Sequence, residues 1–489
     1  MRKLFIISVL VSALANFGMG QQVEKSAGSS LAFTNVTLID ATGAPEQPNR
    51  TVLVADGRII SVGPAASVHV PKEARVIDSR GLFMIPGLWD MHAHAFAEGS
   101  AHLLPLFYFQ LSIANGVTGL RDMAGFADNI EADEQWRTAL STGAIVGPQL
   151  LMAGALVDGP HPTYPRSISI ATPEQARAAV DSLKKRGLDF VKVYNMLPRE
   201  EYFAIADESK KQGIPFAGHV PLAVRASEAS DVGQASFEHL WGLLLESSSH
   251  EEELRPKMLA EANRPGTRPT QLRPHTVFAR ELADTYDPQK ASALFAELVR
   301  NHTWQVPTLS VLHMLAYIED IAKQPDPRLR YFPQALQDEW NPAHDWRTKG
   351  RNAEEIANAH ILFEADVKLV RAMHSAGVRM LAGTDSTEPY TYPGFTLHDE
   401  LAWLVTAGLT PMEAIQSATR NPAEFLGRIN HQGTVEAGKD ADLVLLSADP
   451  LTDIHNTQKI MGVVLHGRYL SHDDLDAMLD AVAKAAAQQ

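Results

Sequence analysis

The 489-residue sequence contains no cysteine. Disulfide bonds, thiolate metal ligands and a cysteine nucleophile are therefore excluded. Stability must come from the hydrophobic core, bound metal or assembly, and any metal site must use nitrogen and oxygen ligands. Hydrophobic residues make up 45% of the chain and charged residues 21%, which is typical of a globular protein with a sizeable core.

Positive charge is also scarce. The chain has 43 lysines and arginines against 58 aspartates and glutamates, which gives a formal net charge of −15. An acidic chain gives no electrostatic reason to expect a nucleic-acid partner. We therefore expect no nucleic-acid partner, and the sequence leaves open whether the chain forms a homo-oligomer.

Long hydrophobic runs are absent as well. The apolar run over residues 4–15 is shorter than the roughly 20 residues that a membrane-spanning helix needs. It follows two basic residues and precedes small ones, which is the pattern of a signal peptide over residues 1–20. We expect cleavage before Gln21, a secreted or periplasmic location and no membrane span.

Strand patterns occupy both ends of the chain. Residues 21–80 and 430–472 contain short β-rich runs that are separated by turn signals such as Asp56-Gly57. Segments at opposite ends of a chain can pair, and we predict that these two form one small β-sandwich domain. Residues 473–489 are alanine-rich and predict a helical C-terminal tail.

Between these ends, over residues 81–429, short apolar runs alternate with longer helical patterns. Eight such strands predict an α/β fold of the (β/α)8 TIM-barrel type. A doubly wound sheet is the alternative, but it would need a glycine-rich phosphate turn that the sequence lacks. Insertions at 246–274 and 325–352 exceed what barrel connections need, and we expect the aromatic-rich second one to form a lid.

The first of these apolar strands ends in His92-Ala93-His94. Side chains alternate along a strand, so both imidazoles leave the same face and can reach one ion. Barrel enzymes keep their sites at the carboxyl ends of the strands, and the pair therefore predicts a metal site. Asp90 shares this face and is expected to orient a ligand.

Lys192 lies between two valines in a strand pattern, which predicts that its side chain is buried. A buried lysine is costly unless it is paired or chemically changed. Two interpretations follow: the amine reaches a carboxylate, or it is carbamylated by carbon dioxide and its anionic head bridges two cations. Tyr194 faces the same way and is a candidate substrate contact.

Three further strands end in polar residues. His219 and His239 each close a strand, and Asp385 follows the last one. Taken singly, each histidine suits a hydrogen-bonded core position, and Asp385 suits a helix N-cap. Five strand ends that each supply an inward polar residue are hard to attribute to packing alone, so we predict that they converge.

These motifs resemble those of the amidohydrolase superfamily, in particular its exported imidazolonepropionase-like and Xaa-Pro dipeptidase-like (prolidase-type) members. The resemblance covers nearly everything after the signal peptide. Besides the paired histidines, it rests on Gly383-Thr384-Asp385, Asn421-Pro422-Ala423 and the segment 438–443.

The resemblance implies a site for two divalent metal ions, whose ligands would be His92, His94, Lys192, His219, His239 and Asp385. The paired histidines and Asp385 would hold one ion and the two later histidines the other, with carbamylated Lys192 as the bridge. Zinc is the default metal, while manganese, cobalt or iron would fit the same ligands. One-metal deaminases of the superfamily lack the lysine and carry a glutamate where this chain has Leu222.

The implied reaction is hydrolysis of an amide C–N bond in a small peptide-like or N-acyl amino acid substrate. A hydroxide between the ions would attack, and Asp385 would be the catalytic proton carrier. A lactone, carbamate or phosphotriester would suit the same site, whereas a one-metal deaminase and a non-catalytic scaffold are less favoured. His161, Tyr194 and Arg121 are candidate substrate contacts, although a structural ion pair suits Arg121 equally well.

Overall fold

The computed structural model of the chain describes residues 30–96 and 105–488. The expected signal peptide, residues 1–20, lies outside these described residues. Within them, no helix combines the length and the apolar character that crossing a membrane requires.

One mixed sheet draws its strands from both ends of the chain. They are β1 (Leu31–Leu38), β2 (Gln47–Ala55), β3 (Arg58–Pro64), β4 (Arg75–Asp78), β5 (Phe83–Pro86), β15 (Leu443–Leu446), β16 (Ile460–Leu465) and β17 (Arg468–Ser471). The strand order is β17-β16-β15-β5-β1-β2-β3, with β4 paired to β1. The two ends of the chain therefore meet in one sheet, and its packing as a sandwich stays a prediction.

Strand β15 connects this sheet to the main core. All four of its residues are buried, and alternate side chains point to opposite faces of the strand. Leu443 and Leu445 join the cluster of apolar side chains that belongs to the mixed sheet. Val444 and Leu446 join the larger core of the remaining chain. A C-terminal strand thereby fixes the sheet against the part of the protein that carries the candidate site.

The remaining strands form two parallel sheets. They are β6 (Leu88–Ala93), β7 (Val117–Asp122), β8 (Gln149–Met152), β9 (Leu156–Asp158), β10 (Ile168–Ser169), β11 (Val191–Val193), β12 (Phe216–Gly218), β13 (Ser236–Glu238) and β14 (Trp304–Val306). Their orders are β6-β7-β8 and β10-β9-β11-β12-β13-β14. The fold is thus α/β, and the carboxyl ends of these strands face one side.

Single parallel bridges join the two sheets. Gly125 pairs with Ala155, and the segment 380–386 pairs with β14 through Met380 and with β6 through Ser386. The last of the eight expected strands, which precedes Asp385, therefore makes a bridge rather than a regular strand. This segment nevertheless runs between β14 and β6, where it brings Asp385 beside the histidines of β6.

Helices surround the parallel strands. They are α1 (Pro105–Ala114), α2 (Ile130–Ser141), α3 (Pro173–Lys185), α4 (Arg199–Gln212), α5 (Ala226–Asp231), α6 (Leu243–Glu246), α7 (Glu251–Ala262), α8 (Leu272–Val277), α9 (Ala279–Asp284), α10 (Pro288–Arg300), α11 (Leu309–Ile321), α12 (Gln334–Glu339), α13 (Ala353–Ser375), α14 (Phe395–Thr406), α15 (Pro411–Ser417), α16 (Arg420–Phe425) and α17 (His472–Ala486). Helix α3 has a well-capped start: Thr172 accepts a hydrogen bond from the backbone N–H of Gln175, and Pro173 occupies the first turn.

The mixed sheet provides a matched test of burial. Val464 in β16 is 0% exposed, whereas Val76 in β4 is 56% exposed. We expect Val464→Ala to lower the free energy of unfolding by about 2 kcal/mol, because it removes buried methyl groups and leaves a cavity. Val76→Ala should change it by roughly 0.5 kcal/mol or less. Urea denaturation measures both, and equal losses would contradict the burial pattern.

Candidate metal centre

Asp385 lies against the two histidines at the end of β6. Its Oδ1 is 3.2 Å from His92 Nε2 and 3.0 Å from His94 Nε2. One potential ligand atom from each of the three residues lies within 4.8 Å of the others. This separation leaves space for one cation between an aspartate oxygen and two imidazole nitrogens.

The other three predicted ligands border this cluster. His239 follows β13, and its Nε2 is 3.9 Å from Asp385 Oδ2. The ring of His219, which follows β12, packs edge-on against His239 with a centroid separation of 4.8 Å. Lys192 in β11 lies in register with Ala217, two residues before His219. The strand ends therefore bring all six predicted ligands to one place.

Each of the four imidazoles is oriented by a contact at Nδ1. For His92, His94, His219 and His239 the partners are, in that order, Glu238 Oε2 at 2.7 Å, the Ala124 carbonyl oxygen at 2.8 Å, Asn195 Oδ1 at 2.5 Å and Thr308 Oγ1 at 2.7 Å. Carboxylate and carbonyl oxygens only accept, and the Thr308 hydroxyl donates its own hydrogen to the Pro307 carbonyl oxygen, so Nδ1 of each ring carries a hydrogen. In the neutral form of each ring Nε2 then has the lone pair, which is the arrangement that metal-binding histidines require.

The deepest imidazoles are held neutral. Burial lowers the pKa of His219 and of His239 well below the usual range, and the charge of Lys192 acts in the same direction on both rings. Burial likewise lowers the pKa of His92. A neutral imidazole is the form that binds a metal ion, so this environment preserves the ligand state.

Lys192 is the exceptional group of the centre. Its side chain is 0% exposed, and Nζ has no hydrogen-bond partner within the described part of the chain. Burial lowers the pKa of Lys192 to about 8. His92 Nε2 likewise lacks a hydrogen-bond partner among these residues. An unpaired buried amine beside oriented imidazoles fits a centre that is completed by metal ions and by modification of the amine.

Close backbone packing places Asp385. A Cβ at Gly383 would lie 2.7 Å from the Cβ of His92, so only glycine allows this approach. Asp90 accepts hydrogen bonds from Thr384 and from the backbone N–H of His92. It thereby ties the two ligand-bearing segments together, and it orients backbone rather than an imidazole. Asp385 itself has φ +61°, a left-handed conformation that turns its carboxylate toward the centre.

Arg121 has a structural role in this geometry. It is 1% exposed, and its guanidinium donates to both carboxylate oxygens of Glu238, at 2.9 and 3.1 Å. Burial raises the pKa of Glu238, but Arg121 and the hydrogen bond from His92 outweigh it and lower this pKa strongly. The ion pair therefore keeps Glu238 ionised as the acceptor for His92. Arg121 thus forms the structural ion pair that the sequence left open as an alternative. Its other nitrogens donate to the Met91 carbonyl oxygen and to Ser236, so it is not positioned to bind a substrate carboxylate.

A cavity of about 510 Å³ lies over the ligands, with His94, His219, His239 and Asp385 in its wall. Tyr194 also lines it, and its ring packs on that of His219 at 4.2 Å. His161, by contrast, is exposed and does not line the cavity. Of the three expected substrate contacts, only Tyr194 reaches this space.

Both insertions reach the centre. Trp346 and Arg347 of segment 325–352 line the cavity, and Thr270 of segment 246–274 does so as well. Trp346 packs edge-on against Tyr164 at 6.3 Å, and the guanidinium of Arg268 lies 4.4 Å from the Trp346 ring centre. Aromatic side chains of the second insertion, Trp340 and Trp346, thus line the cavity, and a lid role for this segment stays a prediction.

Sequence reasoning missed the groups that hold the ligands, chiefly Glu238, Asn195 and Thr308. The role of Glu238 could have been inferred, since a glutamate inside a buried three-residue strand needs a charged partner. The sequence gives no indication of the roles of Asn195 and Thr308, because each follows its strand in a segment whose direction depends on local backbone geometry. Thr308 has φ +49°, a conformation that its sequence does not indicate.

Solved structures share the overall fold. A bottromycin amidohydrolase superposes with a TM-score of 0.71 at 24% sequence identity, covering 98% of this chain and 93% of its own. A Xaa-Pro dipeptidase with methionine bound in its active site gives a TM-score of 0.64 at 20% identity, covering 91% of this chain and 100% of its own. At such identities the similarity establishes the fold alone.

Parallel strands with a histidine–aspartate cluster at their carboxyl ends define an α/β protein with a candidate metal site. The model of the Amidohydrolase family matches residues 83–470, and the chain therefore belongs to that family.

Curated relatives match shorter segments. The imidazolonepropionase of Maricaulis maris is 39% identical over 110 residues, which is 21% of this chain and 25% of that protein. The adenine deaminase of Ruegeria pomeroyi is 33% identical over 108 residues, which is 19% of this chain and 18% of that protein. The matched segments thus span a quarter or less of these two relatives.

The buried ion pair makes a testable prediction. Arg121→Met should lower the free energy of unfolding by about 3–5 kcal/mol, because Glu238 would keep an unpaired buried charge. Arg177→Met is the control, since its ion pair with Asp207 is exposed, and it should cost about 1 kcal/mol or less. Chemical denaturation measures both variants. Unchanged stability of Arg121→Met with weaker binding of carboxylate-bearing substrates would instead make Arg121 a substrate contact.

Proposed function

We propose that this protein is a binuclear metal-dependent hydrolase that cleaves the amide C–N bond of a small peptide-like or N-acyl amino acid substrate. The observation that carries the proposal is the convergence of four oriented imidazoles, one carboxylate and one unpartnered lysine at the strand ends. Family membership supports hydrolysis as the reaction class.

The ligands divide between two ions. His92, His94 and Asp385 would hold the first, and this assignment is supported by their mutual separation of no more than 4.8 Å. His219 and His239 would hold the second, since their Nε2 atoms keep free lone pairs. Zinc is the first choice, and manganese, cobalt or iron would suit the same nitrogen and oxygen donors.

Lys192 would join the two halves of the centre as a carbamate. Its neutral amine would attack the carbon of carbon dioxide. An N–C bond forms, one C=O π bond breaks so that its electron pair moves to oxygen, and the nitrogen releases one proton to water. The product is an anionic head with two oxygen atoms in place of an amine without a partner. The lowered pKa of Lys192 supports this step, because it increases the fraction of amine that is neutral near pH 7.

The residues of the chain have separate roles in the reaction. Divalent ions, when bound, polarise a carbonyl group and make water acidic enough to lose a proton near neutral pH. Asp385 would take that proton and deliver it to the leaving amine. Tyr194 would contact the substrate beside His219, and the Trp346 segment would exclude solvent from the reacting groups.

Deamination is disfavoured at this site, although adenine deaminases are among the relatives. In one-metal deaminases of the superfamily, a glutamate stands where this chain has Leu222. Leu222 is 3% exposed and packs in the main hydrophobic core. It offers no group that could carry a proton, so hydrolysis with Lys192 as a bridge is the better account.

Two broader features belong to the same proposal. We propose that the parallel strands close as a (β/α)8 barrel, which the bridges from segment 380–386 to β14 and β6 support. We also propose export after cleavage before Gln21, which the N-terminal sequence pattern supports. Neither feature changes the assignment of the ligands.

Metal analysis tests the binuclear centre. The purified protein should carry about two divalent ions per chain, and Lys192→Ala should lower this number sharply because it removes the bridge. Lys211→Ala, which changes a lysine with a 70% exposed side chain, is the control and should keep the full content. Elemental analysis by mass spectrometry provides the count. One ion per chain, unaffected by Lys192→Ala, would contradict the binuclear centre.

Turnover tests the role of Asp385. On a panel of dipeptides and N-acyl amino acids, we expect Asp385→Asn to lower kcat by roughly 10²–10⁴-fold, because the amide cannot accept the proton. Some metal should remain bound, since the histidines are intact. Near-normal turnover in this variant would remove Asp385 from the proton-transfer step.

A further inference from the structure

A second chamber of about 420 Å³ adjoins the cavity over the metal centre. The two spaces share walls, among them His239, Trp241, Trp346 and Arg347. The chamber therefore lies next to any substrate bound at the centre. None of the proposed chemical steps uses this space.

Two helices contribute apolar side chains to the walls of the chamber, beside basic and hydroxyl side chains from other segments. Helix α11 contributes Leu312, Leu315 and Ala316, which share one face because they are spaced by three and four residues. Helix α13 faces the same space with Ala359, Leu362, Phe363 and Asp366 at the same spacing. Asp366 thus occupies a position in an apolar stripe where the pattern would place another hydrophobic residue.

Asp366 has no compensating charge. It is 6% exposed, and within residues 30–96 and 105–488 no hydrogen bond or neighbouring charge acts on its carboxyl group. Burial raises the pKa of Asp366 well above the usual range. Three of the basic side chains that line the chamber pair with other acids: Arg273 with Glu261, Arg347 with Asp345 and Arg351 with Glu319. Arg268 and Lys349 are exposed, and the Arg268 guanidinium lies over the Trp346 ring. A buried carboxyl group without a partner is costly, which points to a ligand as its missing partner.

The other polar and aromatic groups of the chamber have matching chemistry. Nδ1 of His275 donates to the backbone oxygen of Gln271 at 2.7 Å, so Nε2 carries the lone pair and accepts. That Nε2 is buried and has no partner in the described structure. The Trp241 ring packs against His275 at 4.5 Å. Trp241 and Phe363 both line the chamber, and the faces of aromatic rings attract cations. Trp241 Nε1, the donor at the junction of the two cavities, is also unpartnered among the described residues.

We propose that the chamber is a second substrate subsite that takes an apolar side chain ending in a basic group, such as the butylammonium chain of lysine. The aliphatic part would pack between α11 and α13, and the ammonium group would pair with Asp366 and donate to His275. The inference rests on the proposed hydrolysis for its kinetic test, and it narrows the substrate class to basic dipeptides or N-acyl derivatives of basic amino acids.

The first test compares lysine with norleucine, which has a similar aliphatic chain without the ammonium group. Wild-type kcat/KM should be higher for the lysine substrate than for the norleucine substrate. The residue is varied at each of the two positions of a dipeptide and in the N-acyl amino acid. Asp366→Asn should lower kcat/KM for the lysine substrate by roughly 10- to 100-fold, the effect of losing one charged hydrogen bond. The norleucine substrate should be unaffected. Glu364→Gln, an exposed change on the same helix, is the control and should alter neither substrate.

Stability separates a binding role from a structural one. Asp366→Asn and Asp366→Leu should melt at or above the wild-type temperature, because each removes an unpaired buried carboxyl group. A large loss of melting temperature in both variants would show that Asp366 supports the fold, and would overturn the subsite.

Calorimetry tests the chamber without turnover. Hexylammonium should bind the metal-loaded wild-type protein more tightly than 1-hexanol does, and Asp366→Asn should abolish the difference. If this holds while no dipeptide or N-acyl amino acid is cleaved, the subsite stands and the proposed reaction fails. If substrates are cleaved without any effect of Asp366→Asn on the lysine–norleucine ratio, the reaction stands and the subsite is wrong.

Discussion

The burial of a lysine amine without a partner, among imidazoles that are kept neutral, is the constraint on which the centre depends. Lys192 Nζ is buried, His219 and His239 are at most 6% exposed, and Asp385 is the carboxylate in direct contact with His92 and His94. Such an arrangement is unfavourable by itself, since buried polar groups need partners. Divalent ions and a carbamate would supply those partners, so the stability of the centre and its chemistry have one physical origin.

The surrounding structure maintains this constraint. Glu238 fixes His92 only while Arg121 keeps it ionised, and Asp90 holds the Asp385 segment against the strand that carries the histidines. Two of the predicted ligands, His239 and Asp385, adopt left-handed backbone conformations. Strain of this kind persists only where neighbouring packing imposes it, and it is common at functional sites. The mixed sheet is joined to the main core through β15.

Much of the site could be predicted because the pattern of ligands follows strand periodicity. The inward direction of His92, His94 and Lys192 results from alternation in strands, and the parallel arrangement then brings distant strand ends together. The backbone of segment 380–386 could not be predicted, because one bridge on each side replaces a regular strand. Strand periodicity could not predict the position of His161 either, because this residue lies in a loop and is exposed. The unpaired Asp366 could not be predicted, because only the positions of α11 and α13 in the fold show that both helices border a chamber.

Anomalous X-ray diffraction at the absorption edge of the bound metal tests the central claim most directly. We predict two anomalous peaks per chain, one contacting Nε2 of His92 and His94 and the other contacting Nε2 of His219 and His239. Continuous electron density for a carbamate should extend from Lys192 Nζ to both peaks. A single peak with an unmodified Lys192, or no peak among these side chains, would contradict the account.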